Sequence, residues 1–158
     1  MSDTRAASQT VRYRERLSVP LWWWLPGLGL AALIALEFNQ GVRVLPDWVA
    51  YAVLLPVAAV ALVALGRTEL RVVSGGGDTE LWVGDAHLPV SAIARSAAVP
   101  RTAKSAALGR QLDPAAYVVH KAWVGPMVLV VLDDPEDPTP YWLVSSRRPE
   151  KVLAALRA

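Results

Sequence analysis

Two uncharged apolar runs near the N-terminus constrain the fold of this chain more than any other feature. They are Leu17–Leu36 and Trp48–Gly66, separated by the polar link Glu37–Asp47. Each run has about 20 residues, which as a helix rising about 1.5 Å per residue spans about 30 Å, the thickness of a bilayer's hydrocarbon core. Two buried helices of a soluble protein are the alternative, but a chain of 158 residues is too small to enclose both. We predict a transmembrane hairpin over residues 17–66.

The charges that flank the two runs predict how the hairpin is oriented. Cationic residues that flank membrane helices favour the cytoplasmic side. They are Arg12, Arg14 and Arg16 before the first run, Arg43 in the link, and Arg67 and Arg71 after the second run. Both termini are therefore expected in the cytoplasm of a plasma-membrane protein. A cleaved signal peptide is the alternative for the first run, but the run is too long for one.

Aromatic residues lie where the predicted membrane boundaries fall. Indole rings prefer the headgroup level, although a ligand-binding aromatic cluster is a second interpretation. The predicted membrane-interface residues are Arg12, Arg14, Arg16, Trp22, Trp23, Trp24 and Trp48. Inside the first run, Gly27, Ala31 and Ala35 form a line of small residues that predicts close packing against the second run or another copy. Neither run holds a deep charge, so the hairpin is expected to anchor rather than to transport.

Composition narrows the function classes. Hydrophobic residues make up 54% of the chain and charged residues 19%, which is typical of a membrane protein. The chain has no cysteine, which excludes disulfides, zinc–thiolate sites and thiol catalysis. No basic stripe interleaved with aromatics appears, so no nucleic-acid partner is expected. Residues 1–16 are predicted to be a disordered basic segment.

After Arg67 the apolar runs become short and alternate with polar residues, which predicts a small cytoplasmic β domain over residues 67–158. The apolar run Met127–Leu132 is expected to be central, and Pro149 is expected to start a closing helix. The predicted strands are Thr68–Val73, Thr79–Val83, Ala86–Ile93, Ile93–Val99, Ala115–His120, Met127–Leu132 and Tyr141–Ser145. The predicted fold class is an α+β membrane protein: a two-helix hairpin, then an antiparallel bent sheet or barrel with a C-terminal helix.

The candidate interaction residues of the β domain are Arg101, Lys104, Arg110, Asp113, Tyr117 and His120. The three cations could bind anionic lipid or an acidic partner, whereas a solvated loop is the simpler interpretation. His120 could act as a general base only with an orienting acid and a nucleophile that the sequence does not locate. Neither His120 nor His87 has carboxylates or histidines at metal-ligand spacing, so no metal or cofactor is predicted.

Three pieces of the chain carry a family resemblance. YRERLSVPLWWW (residues 13–24), LGRQLDPAAYVVHKAWV (residues 108–124) and DPTPYWLVSSRRPEKVLAAL (residues 137–156) resemble an actinobacterial family of two-span membrane proteins of unknown function, DUF3093. The resemblance implies no activity and no catalytic residue. The order of hairpin, strands and final helix also resembles membrane-anchored bacterial pleckstrin-homology-like domains, whose fold alone does not determine a ligand.

Two functions remain from the sequence. The first is a non-enzymatic, membrane-anchored cytoplasmic module that binds a membrane or envelope protein, another copy of itself, or anionic lipid. The second is a membrane-bound enzyme or transport accessory subunit that uses residues between Asp113 and His120. The first is favoured because no catalytic constellation is visible.

Overall fold

The computed structural model describes residues 9–158 as an α+β chain in two compact units. One unit, Ser18–Arg67, holds two helices. The other, which we call the β domain, comprises residues 9–17 together with Thr68–Ala158. The helices are α1 (Trp24–Gly41), α2 (Asp47–Leu65), α3 (Lys104–Leu108) and α4 (Pro149–Arg157). The strands are β1 (Thr10–Arg16), β2 (Glu69–Gly75), β3 (Asp78–Val83), β4 (Ala86–Pro89), β5 (Ile93–Val99), β6 (Tyr117–Val119), β7 (Met127–Leu132) and β8 (Tyr141–Ser145).

Helices α1 and α2 form the predicted hairpin with shifted ends. A 3-10 turn over Leu21–Trp23 leads into α1, which continues to Gly41, so the first five residues of the predicted polar link are helical. The link shortens to residues 42–46, and the Asn39 side-chain amide donates to the carbonyl oxygen of Asp47 at 2.7 Å. Pro26 lies in the first turn of α1, where a missing N–H breaks no helical bond, whereas Pro56 lies inside α2.

The small residues of α1 pack against α2, as the first of the two predicted arrangements requires. Ala31 is 7% exposed and Ala35 is fully buried. A Cβ at Gly27 would lie 3.0 Å from a methyl carbon of Leu62, so the two helices touch closely at this point. The stripe of small residues is therefore used within the hairpin.

The outer surface of the hairpin is apolar. Both helices are long and apolar enough to cross a membrane. Exposed side chains along them include Leu25, Leu30, Leu33, Val57 and Val60, each more than half exposed. Contiguous exposed apolar surface of this size marks a site that contacts another apolar phase or partner.

Strand β1 corrects the prediction that the segment 1–16 is disordered, because Thr10–Arg16 forms a strand. Residues 1–8 of the predicted segment lie outside the described part of the chain. Thr10–Arg16 pairs antiparallel with β2, in a register that places Arg14 opposite Arg71. Tyr13 packs against the core, whereas Arg12, Arg14 and Arg16 are exposed. This period-two alternation is typical of a half-buried strand. The arginine-rich composition obscured it.

The first sheet is antiparallel, in the order β1-β2-β3-β4. The β2–β3 hairpin turns at Gly76 and Gly77, whose φ values of 66° and 101° favour glycine. Leu70 and Val72 on β2 and Leu81 and Val83 on β3 point to the inner face and are at most 2% exposed.

The second sheet has the order β5-β7-β8-β6, and its pairs are antiparallel except β6–β8, which is parallel. The predicted third strand ends early at Pro89, and a 3-10 turn over Val90–Ala92 separates it from β5. Strand β7 is central between β5 and β8, as its unbroken apolar run predicts. Strand β6 covers only three of the six residues predicted for it.

The core of the β domain lies between the two sheets and α4. It contains side chains from β2, β3 and β4, from β7 and β8, and from α4. Helix α4 starts at Pro149, as predicted, and buries Val152, Leu153, Ala155 and Leu156. Each buried aliphatic side chain of this size contributes about 1.5–3 kcal/mol to the free energy of unfolding. The helix therefore joins the two sheets into one core.

Candidate functional site

Four side chains of the β domain form what we call the basic-aromatic surface: Arg101, Lys104, Lys121 and Trp123. Arg101 lies in the turn before α3, Lys104 starts α3, and Lys121 and Trp123 lie in the loop between β6 and β7. Two of the four, Arg101 and Lys104, were predicted as interaction residues. The structure joins them to a loop that lies about 20 residues further along the chain.

Lys104 connects the two segments. Its Nζ donates to the carbonyl oxygen of Lys121 at 3.1 Å and also to the carbonyl oxygen of Val124. Burial, followed by the charge of Arg101, lowers the pKa of the Lys104 ammonium from its usual value. Lys104 is thus a structural cation that fixes the β6–β7 loop, while it adds positive charge to the surface.

Trp123 reaches the end of β1. Its indole N–H donates to the carbonyl oxygen of Leu17 at 3.2 Å, and the Lys121 Nζ lies 5.7 Å from the centroid of the Trp123 ring. That distance is within the range of a cation–π contact. Leu17 is fully buried, and its backbone N–H donates to the carbonyl oxygen of Thr68 at 2.9 Å. These bonds join the surface to the pairing of Leu17 with Thr68 inside the β domain.

Arg101 and His120 flank the surface. The Arg101 side chain covers Gly125, where a Cβ would lie 3.1 Å from the Arg101 Cδ. Burial, followed by the charge of Lys104, lowers the pKa of the His120 imidazole from its usual value. His120 is thus held towards its neutral form at the edge of a cationic cluster. Arg110, the third predicted cation, is exposed in the turn after α3.

Asp113 and Tyr117 belong to a different place, beside β8. The backbone N–H of Asp113 donates to the Tyr141 hydroxyl at 2.8 Å, and the Tyr117 and Trp142 ring centroids are 4.5 Å apart. The Asp113 carboxylate accepts a hydrogen bond from the backbone N–H of Ala115 at 2.8 Å. These contacts stabilise a turn and a strand edge, so the structure does not assemble Asp113, Tyr117 and His120 into a catalytic group.

A part-buried polar cluster that the sequence interpretation missed ties β1 to the chain after β8. The Glu15 carboxylate accepts hydrogen bonds from the Ser146 hydroxyl at 2.7 Å, the backbone N–H of Arg147 at 2.8 Å and the Tyr13 hydroxyl at 3.0 Å. Burial and the bond to Glu15 raise the pKa of Tyr13 to about 12. Glu15 and Ser146 lie in two of the three sequence pieces that resemble the family. That resemblance was the sequence signal that could have pointed to this cluster.

The predicted membrane-interface residues are divided between the two units. Arg14 forms an ion pair with Glu69, and the carbonyl oxygen of Arg16 accepts from the Arg147 guanidinium at 2.9 Å. The tryptophans lie at helix starts: Trp22, Trp23 and Trp24 lead into α1, and Trp48 begins α2. Trp22 and Trp48 are 64% and 68% exposed.

The side chains of the basic-aromatic surface determine what chemistry the site offers. Across residues 9–158, no three His, Asp or Glu side chains are grouped so that they could hold a metal ion. Arg101, Lys104 and Lys121 supply hydrogen-bond donors and positive charge, and Trp123 supplies an aromatic face with one polar edge. This combination suits an anionic headgroup at an apolar boundary.

The comparisons with known proteins give one match. The model of a family described as protein of unknown function (DUF3093) matches residues 12–156. No curated protein and no solved structure matches the chain.

Proposed function

Because the chain belongs to the DUF3093 family of proteins of unknown function, we propose a function from its geometry. The protein is a non-enzymatic, membrane-anchored module whose cytoplasmic β domain binds anionic lipid headgroups through the basic-aromatic surface. One observation carries the proposal. The indole N–H of Trp123 donates to the carbonyl oxygen of Leu17, which is the last residue of the β domain before the helical unit Ser18–Arg67.

Insertion of the hairpin into a plasma membrane is the first part of the proposal. Its support is the exposed apolar surface of α1 and α2, which would be costly in water. The arginines before α1 and after α2 outnumber the single arginine between them, which favours cytoplasmic termini. Trp22 and Trp48 then have the amphipathic chemistry of residues at the two headgroup regions.

Chain continuity supports the proposal that the basic-aromatic surface faces the membrane. Leu17 is followed directly by Ser18, and Thr68 follows Arg67, so both crossings from the hairpin reach the β domain at the Leu17–Thr68 hydrogen bond. Trp123 contacts this same point. An anionic headgroup within reach of Arg101, Lys104 and Lys121 would be attracted by about 1 kcal/mol for each cation.

The proposed fold of the β domain is pleckstrin-homology-like. Support comes from two sheets that share a core with a C-terminal helix, α4. The parallel pairing of β6 with β8 departs from an all-antiparallel arrangement. The alternative enzymatic role has no comparable support, since the Asp113 carboxylate bonds within its own turn.

The experiment uses the absence of native cysteine to place single fluorophores. Ala122→Cys labels an exposed position between Lys121 and Trp123, and Ser91→Cys labels an exposed position elsewhere on the β domain. The full chain is placed in nanodiscs of phosphatidylcholine alone or with phosphatidylglycerol. We expect the label at position 122 to be shielded from a water-soluble quencher only in the anionic bilayer. The label at position 91 should be quenched equally in both.

Charge variants test which residues cause the shielding. Arg101→Gln with Lys121→Gln should abolish it, whereas Lys151→Gln with Arg157→Gln removes the same charge from exposed positions on α4 and should leave it intact. Salt at about 1 M, where the Debye length is about 3 Å, should also remove it. Equal quenching at position 122 in the two bilayers, or loss of shielding in the α4 variant, would contradict the proposal.

A further inference from the structure

The outer face of the second sheet carries a groove of about 550 Å³, which lies between the sheet and the segment 100–111. That volume lies within the range of about 300–1,000 Å³ that is typical of small-molecule sites. The groove lies wholly within the β domain. None of the four side chains of the basic-aromatic surface lines the groove, although Arg101 and Lys104 belong to the segment 100–111, which we call the cover.

Small side chains create the groove. The cover contributes Ala103 and Ala107, and the sheet contributes Ala97 opposite Leu129 and Leu143. Protein interiors are otherwise packed to the density of organic crystals, so facing alanines leave space that larger residues would fill. The floor of the groove is apolar where Ala97, Leu129 and Leu143 form one outward-facing row across β5, β7 and β8.

Hydrogen bonds hold the cover in place. The Tyr141 hydroxyl accepts from the backbone N–H of Asp113 at 2.8 Å and donates to the carbonyl oxygen of Gln111 at 3.3 Å. At the other end, Lys104 donates to the carbonyl oxygens of Lys121 and Val124. The groove is therefore preformed, which lowers the entropic cost of binding.

One charge lines the groove. Among the described residues that line it, Arg95 is the charged one, and Gln111 and Tyr141 are the polar ones. Arg95 is exposed, and its outward-facing row on the sheet continues to Val131 and Tyr141. An apolar groove beside one guanidinium complements a single apolar chain that ends in a planar anion, since arginine binds carboxylate with two parallel hydrogen bonds.

We propose that this groove binds a long-chain fatty acid, with the acyl chain against Leu129 and Val131 and the carboxylate at Arg95. The site is distinct from the headgroup surface of the proposed function. The proposed ligand has one acyl chain and a carboxylate, whereas the headgroup surface is proposed to bind a phospholipid of the bilayer.

The experiment uses the full chain in phosphatidylcholine nanodiscs with a diazirine-bearing palmitic acid. After illumination, mass spectrometry of peptides locates the crosslinks. Labelling of α1 and α2 reports fatty acid dissolved in the bilayer, so the ratio of groove to hairpin labelling isolates the site. We expect labelled peptides from residues 95–111 and 129–143. Unlabelled palmitate should compete with this labelling, and hexadecanol should not.

Two variants test the two halves of the ligand. Arg95→Gln should lower the labelling ratio about tenfold, as expected when a charge-assisted hydrogen bond is lost. Ala107→Leu fills the groove and should lower the ratio at least as much. The controls are Arg157→Gln, which removes an arginine outside the groove, and Ser105→Leu, which adds the same leucine at an exposed position on α3.

Three results would overturn the proposal. Crosslinks confined to the hairpin would show that the groove is empty. Equal competition by hexadecanol, with Arg95→Gln unchanged, would show that the groove takes any apolar chain. A fall in the controls that matches the fall in the variants would show a general loss of structure. Arg95→Gln leaves the groove unfilled, so it tests the proposal even if Ala107→Leu does not fold.

Discussion

In the first sheet, the row of side chains that points outward from β1 to β4 is Arg14, Arg71, Trp82 and His87. In the second sheet, an equivalent outward row is Ala97, Leu129 and Leu143. The Trp82 and His87 rings stack at 4.6 Å between centroids, and the Arg71 guanidinium lies 5.7 Å from the Trp82 ring. This row of the first sheet thus presents aromatic and cationic groups outward, whereas the row of the second sheet presents aliphatic ones.

The difference explains why the second sheet has a cover. An antiparallel sheet with one solvated face alternates apolar and polar residues, whereas a strand buried on both faces is continuously apolar. Strand β7, with the sequence MVLVVL, is of the second kind. The segment 100–111 lies over this apolar face, and the groove remains because Ala103 and Ala107 of this segment line it. Both proposed sites therefore involve the segment that the second sheet requires.

The largest loss of stability is expected on the outer face of the second sheet, where a side chain is buried as in a core. Leu143 is 1% exposed although it points outward, so Leu143→Ala should lower the free energy of unfolding by about 2–5 kcal/mol. Val73 is half-buried on the outer face of the first sheet, and Val73→Ala should cost less than about 1 kcal/mol. Unfolding of the full chain in detergent, followed by near-ultraviolet circular dichroism, measures both. Equal losses would remove the distinction between the two faces.

A smaller loss of stability is expected when the hydrogen bonds between the Tyr141 hydroxyl and the chain around the cover are removed. Tyr141→Phe removes the hydroxyl that bonds to Asp113 and to Gln111. Loss of this hydroxyl should cost about 1 kcal/mol, which corresponds to about fivefold faster amide hydrogen exchange at Asp113 if the cover opens locally. Tyr117→Phe is the matched control, because the Tyr117 ring contacts Trp142 in a tilted arrangement with the centroids 4.5 Å apart. Unchanged exchange at Asp113 in Tyr141→Phe would show that the hydroxyl does not hold the cover.

The elements that depend on local pattern could be predicted from the sequence. The uncharged runs predicted the two apolar helices, and the apolar run that starts at Met127 predicted the central strand β7. Strand β1 was missed because its pairing with β2 joins segments separated by the whole hairpin. A composition rich in arginine also suggested a solvated segment.

The candidate site was less predictable than the fold. Arg101 and Lys104 could be chosen as charges in a basic stretch, but the bonds from Lys104 to the loop at Lys121 and Val124 depend on tertiary packing. Trp123 gave no periodic signal, because it lies in a loop. The groove depends on alanines whose spacing predicts nothing until the sheet places them opposite leucines.

The smallest change in stability is expected from the hydroxyl of Tyr13, a residue that packs against the core on the inner face of the first sheet. Burial and the Glu15 hydrogen bond raise the pKa of Tyr13 from 10.0 to about 12. The unfolded chain therefore releases this proton at lower pH than the folded chain does. The stabilisation is fully present below pH 10 and is lost as the pH rises towards 12. Tyr13→Phe should thus lose less stability than the parent chain across this window, as measured by denaturant unfolding at each pH. Parallel curves would show that the inner face of the first sheet does not perturb this tyrosine.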